Sequence, residues 1–314
     1  MTNDSNNEII EIAAAIQVIG LGKTFGSLPA LDSVTFTVAP GDIFGLVGPD
    51  GAGKSTCLRI LSGLMLPSSG QAFVLGRDVI ADPESVKPDI GYMAQPAGLY
   101  DDLTVAENIE FYAEMHQVSR SKYQERMDRL LKFSGLAPFT GRLFRNLSGG
   151  MKQKAGLTCA LIHSPKVLLL DEPTNGVDPV SRRDFWKILY ELKREQVTVV
   201  VASTYLDEAD RCHRIALFDQ GRIRLVMEPT AMRGLMPGRL YNILCSDRRT
   251  ALKVLKEQPQ VRTPSLFGAG LHFTLADDRS IPIITERLRE AGLTNVDISA
   301  IQPSLEDVYL TLVE

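Results

Sequence analysis

Short apolar runs, separated by turns rich in glycine and charged residues, dominate the first two thirds of the chain. Runs of this length and composition are typical of β-strands. The strand-like segments are 16–25, 31–39, 43–47, 167–170 and 197–202. The last three are almost wholly apolar, as buried parallel strands usually are. Because helical stretches separate them, the pattern predicts an α/β fold.

Residues 103–134 have a different pattern, in which apolar residues recur every three or four positions among mixed charges. This spacing predicts a mostly helical subdomain at about 98–160. The segments on either side belong to one large α/β domain over 16–228, preceded by a polar lead at 1–15. No apolar run approaches the roughly 18–20 residues that a membrane-spanning helix needs.

The pattern changes again beyond a linker at 229–239, which contains proline and glycine. Short strand and helix patterns alternate there, and their order suggests a small ferredoxin-like α/β unit over 240–314. Its last helix should begin after Ser304, because Ser304 and Asp307 have the spacing of an N-terminal cap.

Composition narrows the functional classes. The 314 residues are 44% hydrophobic and 23% charged, with a formal net charge of −4, so no global basic field attracts nucleic acid. The first residues are polar and acidic, unlike a signal peptide. The four cysteines are scattered without CxxC spacing. We therefore expect reduced thiols in the cytosol rather than a metal site.

A glycine-rich loop follows the strand-like run 43–47. Its sequence, Gly48-Pro49-Asp50-Gly51-Ala52-Gly53-Lys54-Ser55, has the GxxxxGK[ST] pattern of a phosphate-binding loop. Glycines let backbone N–H groups converge on phosphate oxygens, and the next helix directs its positive end to the same place. We expect Lys54 to reach the β- and γ-phosphates and Ser55 to bind Mg²⁺. The candidate nucleotide-binding residues of this segment are Gly48, Gly51, Gly53, Lys54, Ser55 and Thr56.

Two acids, Asp171 and Glu172, follow the apolar run 167–170. An acid at the carboxyl end of a parallel strand, beside a phosphate-binding loop, is well placed to hold Mg²⁺. We assign Asp171 to the metal and Glu172 to activation of the attacking water as a general base. Alone, the pair would more often be a solvated strand end, but the upstream loop favours the catalytic interpretation.

Four further segments complete an ordered set of motifs: Phe25, Gln95, Leu147–Met151 and Asp178. Over residues 16–228 the set resembles the motifs of ABC-type ATPases, and Leu147–Met151 resembles their LSGGQ signature. The resemblance implies a P-loop NTPase core with a helical signature subdomain, followed by the small α/β appendage. The ligands that it implies are ATP and Mg²⁺.

The resemblance also assigns roles to single residues. Phe25 would stack on adenine, although a phenylalanine of the core is the alternative. Gln95 would contact Mg²⁺ and follow the state of a membrane partner, and Asp178 would lie at the interface between paired ATPase domains. The signature residues, which would contact ATP held by the opposite domain, are Ser148, Gly149, Gly150 and Met151.

Three positions depart from the family pattern. Met151 replaces the usual Gln and Asp50 the usual Asn, and both changes are mild. The third change is larger, because alignment on residues 205–209 puts Thr204 where a His usually contacts the γ-phosphate; alignment on the preceding strand implies a one-residue deletion instead. A neutral hydroxyl has neither the charge nor the reach of an imidazole. We therefore expect ATP binding but weak hydrolysis at the site built by this chain's own loop.

Residues 151–154, 175–183 and 303–309 resemble one branch of the family. This branch contains ABC-2-type exporters, including the daunorubicin-resistance group and multidrug exporters with paired ATPase domains. The resemblance implies a peripheral subunit at the cytoplasmic face of the inner membrane. Its partners would be an ABC-2-type permease and a second ABC ATPase subunit, with a heterodimer favoured and a homodimer as the alternative.

Three other functions stay open at this point. Thr204 leaves room for a regulatory subunit that binds ATP but hydrolyses little of it. An ABC ATPase acting on nucleic acid or ribosomes is disfavoured, because the sequence has neither sustained heptads nor a basic stretch. An importer ATPase agrees less well with the appendage and with the exporter-like segments.

Overall fold

The computed structural model describes residues 14–96 and 98–313, and most of the predicted polar lead lies outside them. The chain divides into two compact units between residues 226 and 227. The strands are β1 (Ile16–Phe25), β2 (Leu28–Val38), β3 (Ile43–Val47), β4 (Ser69–Val74), β5 (Arg77–Asp78), β6 (Ile90–Met93), β7 (Val167–Asp171), β8 (Thr198–Ser203), β9 (Arg214–Asp219), β10 (Arg222–Met227), β11 (Arg239–Leu244), β12 (Arg262–Phe267), β13 (Gly270–Leu275) and β14 (Asp297–Ile301).

The helices connect these strands. They are α1 (Lys54–Leu61), α2 (Pro83–Val86), α3 (Val105–Met115), α4 (Arg120–Ser134), α5 (Gly149–Leu161), α6 (Pro179–Arg194), α7 (Leu206–Ala209), α8 (Pro229–Arg233), α9 (Arg248–Lys256), α10 (Ile281–Glu290) and α11 (Leu305–Val313). Among the described residues, no helix is both long enough and apolar enough to span a membrane.

A six-stranded sheet in the order β10-β9-β3-β8-β7-β6 forms the centre of the first unit. The strands from β9 to β6 are parallel. Every residue of β3, β7 and β8 is buried, which explains why these runs are almost wholly apolar. The carboxyl ends of parallel strands share one edge, so the segments that follow β3, β6, β7 and β8 are brought together there.

A second, antiparallel sheet in the order β2-β1-β4-β5 completes this part of the unit. Its buried face shares one hydrophobic core with α1 and the six-stranded sheet. The contact includes a stacked pair, Phe36 on β2 and Phe44 on β3, with ring centroids 5.3 Å apart. The sequence predicts β1 and β2 as strands, but the pairing of β1 with β4 depends on contacts that local patterns do not encode.

The predicted helical subdomain has its own hydrophobic cluster, to which α3, α4 and α5 contribute. α3 begins with a capping box, in which the Thr104 hydroxyl accepts from the Glu107 N–H and the Glu107 carboxylate accepts from the Thr104 N–H. The hydrogen bonds that the Thr104 N–H and hydroxyl donate to the carboxylate lower the pKa of Glu107. The helix that carries the signature begins at Gly149.

The second unit contains an antiparallel sheet in the order β12-β13-β11-β14, with α9 and α10 contributing to its core. The succession β11-α9-β12-β13-α10-β14 is that of a ferredoxin-like fold. Ser304 and Asp307 form the predicted cap of α11, since the Ser304 hydroxyl accepts from the Asp307 N–H at 3.2 Å. The Asp307 carboxylate also contacts His272 Nδ1 at 2.6 Å, which attaches α11 to β13.

Candidate nucleotide-binding site

The phosphate-binding loop begins where the buried strand β3 ends, and close approach of the backbone explains two of its glycines. A Cβ atom on Gly48 would lie 2.1 Å from the carbonyl oxygen of Phe218. A Cβ atom on Gly53 would lie 2.5 Å from the carbonyl oxygen of Ala30. α1 then starts at Lys54 with no side-chain cap. Its first N–H groups therefore face the loop without a capping acceptor, as an anion site requires.

Lys54 is almost completely buried, with 4% of its surface exposed. Its ammonium donates to the carbonyl oxygens of Gly48 at 2.8 Å and Pro49 at 3.0 Å. It also lies 3.4 Å from Glu172 Oε1. The positive charge therefore lies inside the loop, between the phosphate-binding backbone and the candidate base. Gly51 is exposed on the loop, and Thr56 is half-buried on α1.

Ser55 and Asp171 meet at the end of β7. The Ser55 hydroxyl donates to Asp171 Oδ1 at 2.7 Å, and Asp171 is 2% exposed. Mg²⁺ prefers oxygen ligands and usually takes one or two from protein, with the rest from phosphate and water, so this pair fits Mg²⁺. Within 14–96 and 98–313, no group of three or more His, Cys, Asp or Glu side chains could hold a metal by itself.

Gln95 lies two residues beyond the end of β6, where Met93 pairs with Leu170 of β7. This position is at the same sheet edge as Asp171, and the Gln95 side chain is exposed. The structure thus brings Gln95 to the edge that carries the candidate metal pair, on a separate loop.

Glu172 and Thr204 come together although 32 residues separate them in sequence. The Thr204 N–H and hydroxyl lie 3.2 Å and 3.4 Å from Glu172 Oε2 and donate to it. Burial raises the pKa of Glu172, whereas the hydrogen bond from Thr204 and the nearby Lys54 ammonium oppose the rise. The residue has a φ of 48°, a left-handed conformation that is strained for a side chain other than glycine.

Phe25 ends β1 with 47% of its surface exposed, so the alternative of a core phenylalanine does not hold. The Lys23 ammonium lies 5.2 Å from the centroid of its ring. An exposed ring of this kind is able to stack on a planar base.

The signature residues lie at the N-terminus of α5. Ser148 caps the helix by accepting from the Met151 N–H at 3.4 Å, and Gly149 and Gly150 form its first turn. Ser148 and Gly149 are exposed, whereas Gly150 is buried and Met151 packs against the cluster of the helical subdomain. The exposed backbone and the helix N-terminus together favour an anion.

The loop of Asp178 adjoins the signature within the same unit. A Cβ atom on Gly149 would lie 3.4 Å from the Gly176 carbonyl oxygen, and one on Gly150 would lie 2.6 Å from Ser181. Asp178 caps α6 by accepting from the N–H groups of Val180 and Ser181, and its pKa is lowered mainly by its hydrogen bonds to Ser181. The Asp178 carboxylate therefore stabilises the start of α6. The resemblance to ABC-type ATPases implies that this same residue lies at the interface between paired domains.

Three residues beside this site are not among the sequence-predicted site residues. Glu208 is buried on α7 and accepts hydrogen bonds from Thr174 and Ser203. The only sequence signal for Glu208 is an acid a few residues beyond a buried strand, and surface helices have many such acids. Thr174 has no local signal because its partner Glu208 is 34 residues away, and the Ser203–Glu208 spacing of five residues matches no recognised motif.

Comparison with known proteins identifies the relatives of this chain. Residues 31–175 match the ABC transporter family. The chain is 40% identical over 305 residues to the probable multidrug ABC transporter ATP-binding protein YbhF of Escherichia coli, which covers 95% of this chain and 52% of YbhF. It is 34% identical over 311 residues to the daunorubicin resistance ATP-binding protein DrrA3 of Streptomyces coeruleorubidus, which covers 95% of each. The chain thus spans about half the length of YbhF and nearly all of DrrA3.

Solved structures agree with these relatives. An ATP-binding subunit of an ABC transporter is 28% identical and superposes with a TM-score of 0.64 over 70% of this chain and 92% of the other. A dimeric, post-hydrolysis structure of the ATP-binding cassette MJ0796, bound to ADP and phosphate, is 25% identical with a TM-score of 0.63, over 68% and 98% of the two chains. With its motifs assembled on this fold, the chain belongs to the family of ATP-binding proteins of ABC transporters.

Proposed function

We propose that this chain is the ATP-binding and ATP-hydrolysing subunit of an ABC-2-type membrane exporter. One observation carries the proposal: Glu172 lies 3.4 Å from the Lys54 ammonium and 3.2 Å from the Thr204 N–H, at the sheet edge that also carries the Ser55–Asp171 pair. The names of YbhF and DrrA3, a probable multidrug transporter protein and a daunorubicin resistance protein, support export as the process.

Each group has a distinct role in hydrolysis. The loop backbone and Lys54 bind the phosphates, and Phe25 stacks on the adenine. Ser55 and Asp171 would hold Mg²⁺, with Gln95 nearby, and the chemistry supplied by the bound ion would be neutralisation of charge on the phosphate oxygens. Glu172, which is buried against Lys54, accepts a proton from the attacking water.

The signature loop supports a paired arrangement. Ser148 and Gly149 are exposed on the helical subdomain and offer backbone donors to an anion outside the chain's own phosphate-binding loop. ATP bound by one ATPase domain would then be contacted by the signature of a second, and closure would follow from tighter binding in the closed state. MJ0796, a structural relative, is described as dimeric. The partners are a second ABC ATPase domain, with a heteromeric pair favoured over a homodimer, and an ABC-2-type permease at the cytoplasmic face of the membrane.

Within this pair, the site built by Lys54 and Glu172 is the slower one. Thr204 supplies a backbone N–H and a hydroxyl to Glu172, but it has no imidazole for the γ-phosphate. A largely regulatory ATP-binding subunit is the second candidate, and the same observation favours it.

The proposed domains correspond to these roles. They are an ATPase domain at 16–228 with a helical subdomain at about 98–160, a linker at 229–239 and a C-terminal α/β domain at 240–314.

Replacing Ser148 with alanine tests whether the signature acts on ATP held by another domain. We expect ATP binding by this chain to stay unchanged, while ATP hydrolysis by the transporter complex, purified through a tag on this chain, falls by about 10²-fold, as when one transition-state donor is removed. The helix cap itself contributes only about 1 kcal/mol to stability. Hydrolysis is measured at saturating ATP.

Ser119→Ala is the matched control, since Ser119 is also an exposed N-cap residue, on the neighbouring helix α4, and makes no side-chain cap hydrogen bond. If both variants hydrolyse ATP at the wild-type rate, the signature does not contact the reacting nucleotide and the paired arrangement is wrong.

A further inference from the structure

Glu208 is a buried carboxylate that the proposed reaction does not use. Only 1% of its surface is exposed. Burying a carboxylate is costly unless hydrogen-bond donors surround it. Oε2 accepts from the Ser203 hydroxyl at 2.8 Å, and Oε1 accepts from the Thr174 hydroxyl and from the Trp186 indole N–H at 3.3 Å. Three separate segments of the chain are therefore tied to one side chain.

These segments are the ones that hold the Glu172–Thr204 contact. Thr174 is two residues beyond Glu172, and Ser203 directly precedes Thr204. The Ser203 hydroxyl also accepts from the Tyr205 N–H at 3.1 Å, so the backbone is fixed on both sides of Thr204. The Glu208 carboxylate thus connects the segment that follows Glu172 to the segment around Thr204, which donates hydrogen bonds to Glu172.

The same network continues into α6. Trp186 belongs to α6, and the Arg182 guanidinium of α6 lies 4.5 Å from the centroid of the Tyr205 ring. Arg182 Nε is 3.7 Å from Glu208 Oε1. Since α6 begins directly after Asp178, the segment around Thr204 is attached to the helix that follows the Asp178 loop.

The backbone of Glu172 explains why such support is needed. Its φ of 48° is unfavourable for a residue with a Cβ atom, and strained conformations persist only where the surrounding contacts determine them. The Glu172 N–H donates to the Ala202 carbonyl at 3.0 Å, which also links this residue to the end of β8. A rigid connection between the chain after β7 and the end of β8 is what keeps this geometry.

We propose that Glu208 is a positioning residue for the reaction. Through Ser203 and Thr174 it fixes the Thr204 N–H against the Glu172 carboxylate, and it does not itself touch the substrate. This inference rests on the proposed function of Glu172 as the general base. It assigns a role in hydrolysis to a side chain outside every motif of the site.

Glu208→Gln is the variant that tests the proposal, because glutamine has the same shape and keeps one acceptor oxygen. Its amide NH₂ replaces an acceptor, so Ser203 or Thr174 loses its partner and the Thr204 segment loosens. We expect the rate of a single turnover of radiolabelled ATP by the full chain to fall by about 10- to 100-fold, as small misplacements of reacting groups do. The KM for ATP and the thermal midpoint should change little.

The pH dependence of the single-turnover rate distinguishes a positioning role of Glu208 from a general loosening of the structure. The charged groups that face Glu172 are Lys54 and Asp171, and neither is changed in the variant. The hydrogen bond from Thr204 opposes the rise in the pKa of Glu172, so its loss raises that pKa further. The acid limb of the rate profile should therefore move to higher pH.

Asp207→Asn is the matched control, because Asp207 precedes Glu208 on α7, carries the same charge and is exposed, pairing only loosely with Arg182 at 3.4 Å. We expect wild-type rate and pH profile from it. Equal shifts in the two variants, or a Glu208→Gln variant with the wild-type profile, would overturn the positioning role. So would a fall in rate that comes with a raised KM and a lowered thermal midpoint.

A second comparison separates failure of this inference from failure of the proposed function. In the Glu172→Gln background, Glu208→Gln should cause no further loss, since it acts only through Glu172. If Glu172→Gln itself leaves the rate unchanged, the assignment of the base is wrong. If Glu172→Gln abolishes hydrolysis while Glu208→Gln alone has no effect, only the positioning role is wrong.

Discussion

Lys54→Met is expected to lower the affinity of this chain for ATP by about 10²- to 10⁴-fold and to abolish hydrolysis at its own site. The ammonium lies inside the loop, 2.8 Å from the Gly48 carbonyl oxygen, and would bind the β- and γ-phosphates. A hydrogen bond to a charged group contributes about 1.5–3 kcal/mol, and two such bonds are lost. Methionine keeps most of the buried stem, so the loop should remain packed.

Equilibrium binding of a fluorescent ATP analogue measures this loss. Lys87→Met is the control, because Lys87 is a half-buried lysine of the same unit that pairs with Glu84 outside the phosphate-binding loop. Wild-type affinity in the Lys54→Met variant would mean that the loop does not hold the phosphates. Affinity lost equally in both variants would point to a general effect of charge.

Glu172→Gln is expected to lower hydrolysis at this site by about 10²- to 10⁴-fold while ATP stays bound, because a positioned general base contributes about that factor. Glutamine preserves the shape and can still accept from the Thr204 N–H, but it cannot accept a proton. A single turnover of bound ATP measures the rate directly. Hydrolysis that is unchanged in this variant would exclude Glu172 as the base.

The pH dependence of the wild-type enzyme follows from the same group. Burial raises the pKa of Glu172 above its ordinary 4.5, so the base becomes protonated, and the rate falls, at a higher pH than an exposed glutamate would allow. The contribution of Glu172 to folding stability depends on pH in the opposite direction to the rate, because it falls as the pH rises. A carboxyl group whose pKa is raised on folding stabilises the protein below its unfolded pKa, and this stabilisation is lost as the pH rises through the folded value. At neutral pH the Glu172→Gln variant should therefore be at least as stable as the wild type, as thermal unfolding can measure.

The phosphate-binding loop and the acids at the end of β7 could be predicted from sequence because their signals are local. A buried strand, a glycine loop and a helix occupy consecutive residues from Ile43 to Leu61, so pattern and structure coincide. The C-terminal unit could also be predicted from sequence, because strand-like and helix-like patterns alternate along it. The cap at Ser304 and Asp307 depends on a spacing of three residues and needs no tertiary information.

Other features could not be predicted because they depend on distant contacts. The three donors to the Glu208 carboxylate, Thr174, Trp186 and Ser203, lie 34, 22 and 5 residues from it in sequence, and no local pattern relates them. α5 starts at Gly149 because the Ser148 cap outweighs the low helix propensity of Gly149 and Gly150. The order of the six strands follows from long-range pairing, which only the assembled sheet reveals.

We propose that the site built by this chain's own loop is slow because it lacks the histidine that usually contacts the γ-phosphate, a position that Thr204 takes when residues 205–209 are aligned. The Thr204 N–H lies 3.2 Å from Glu172 Oε2, so a longer side chain at this position would lie beside the candidate base. The most direct test is the steady-state rate of ATP hydrolysis by the purified chain and by its Thr204→His variant at saturating Mg²⁺ and ATP. Thr204→Asn controls for size and polarity without an imidazole.

We expect the wild-type chain and the Thr204→Asn variant to hydrolyse ATP below about 0.1 s⁻¹, under the usual range of kcat that begins near 1 s⁻¹, and the Thr204→His variant to be at least about tenfold faster. A wild-type chain that already turns over within the usual range, and that Thr204→His leaves unchanged, would contradict the claim of a slow site.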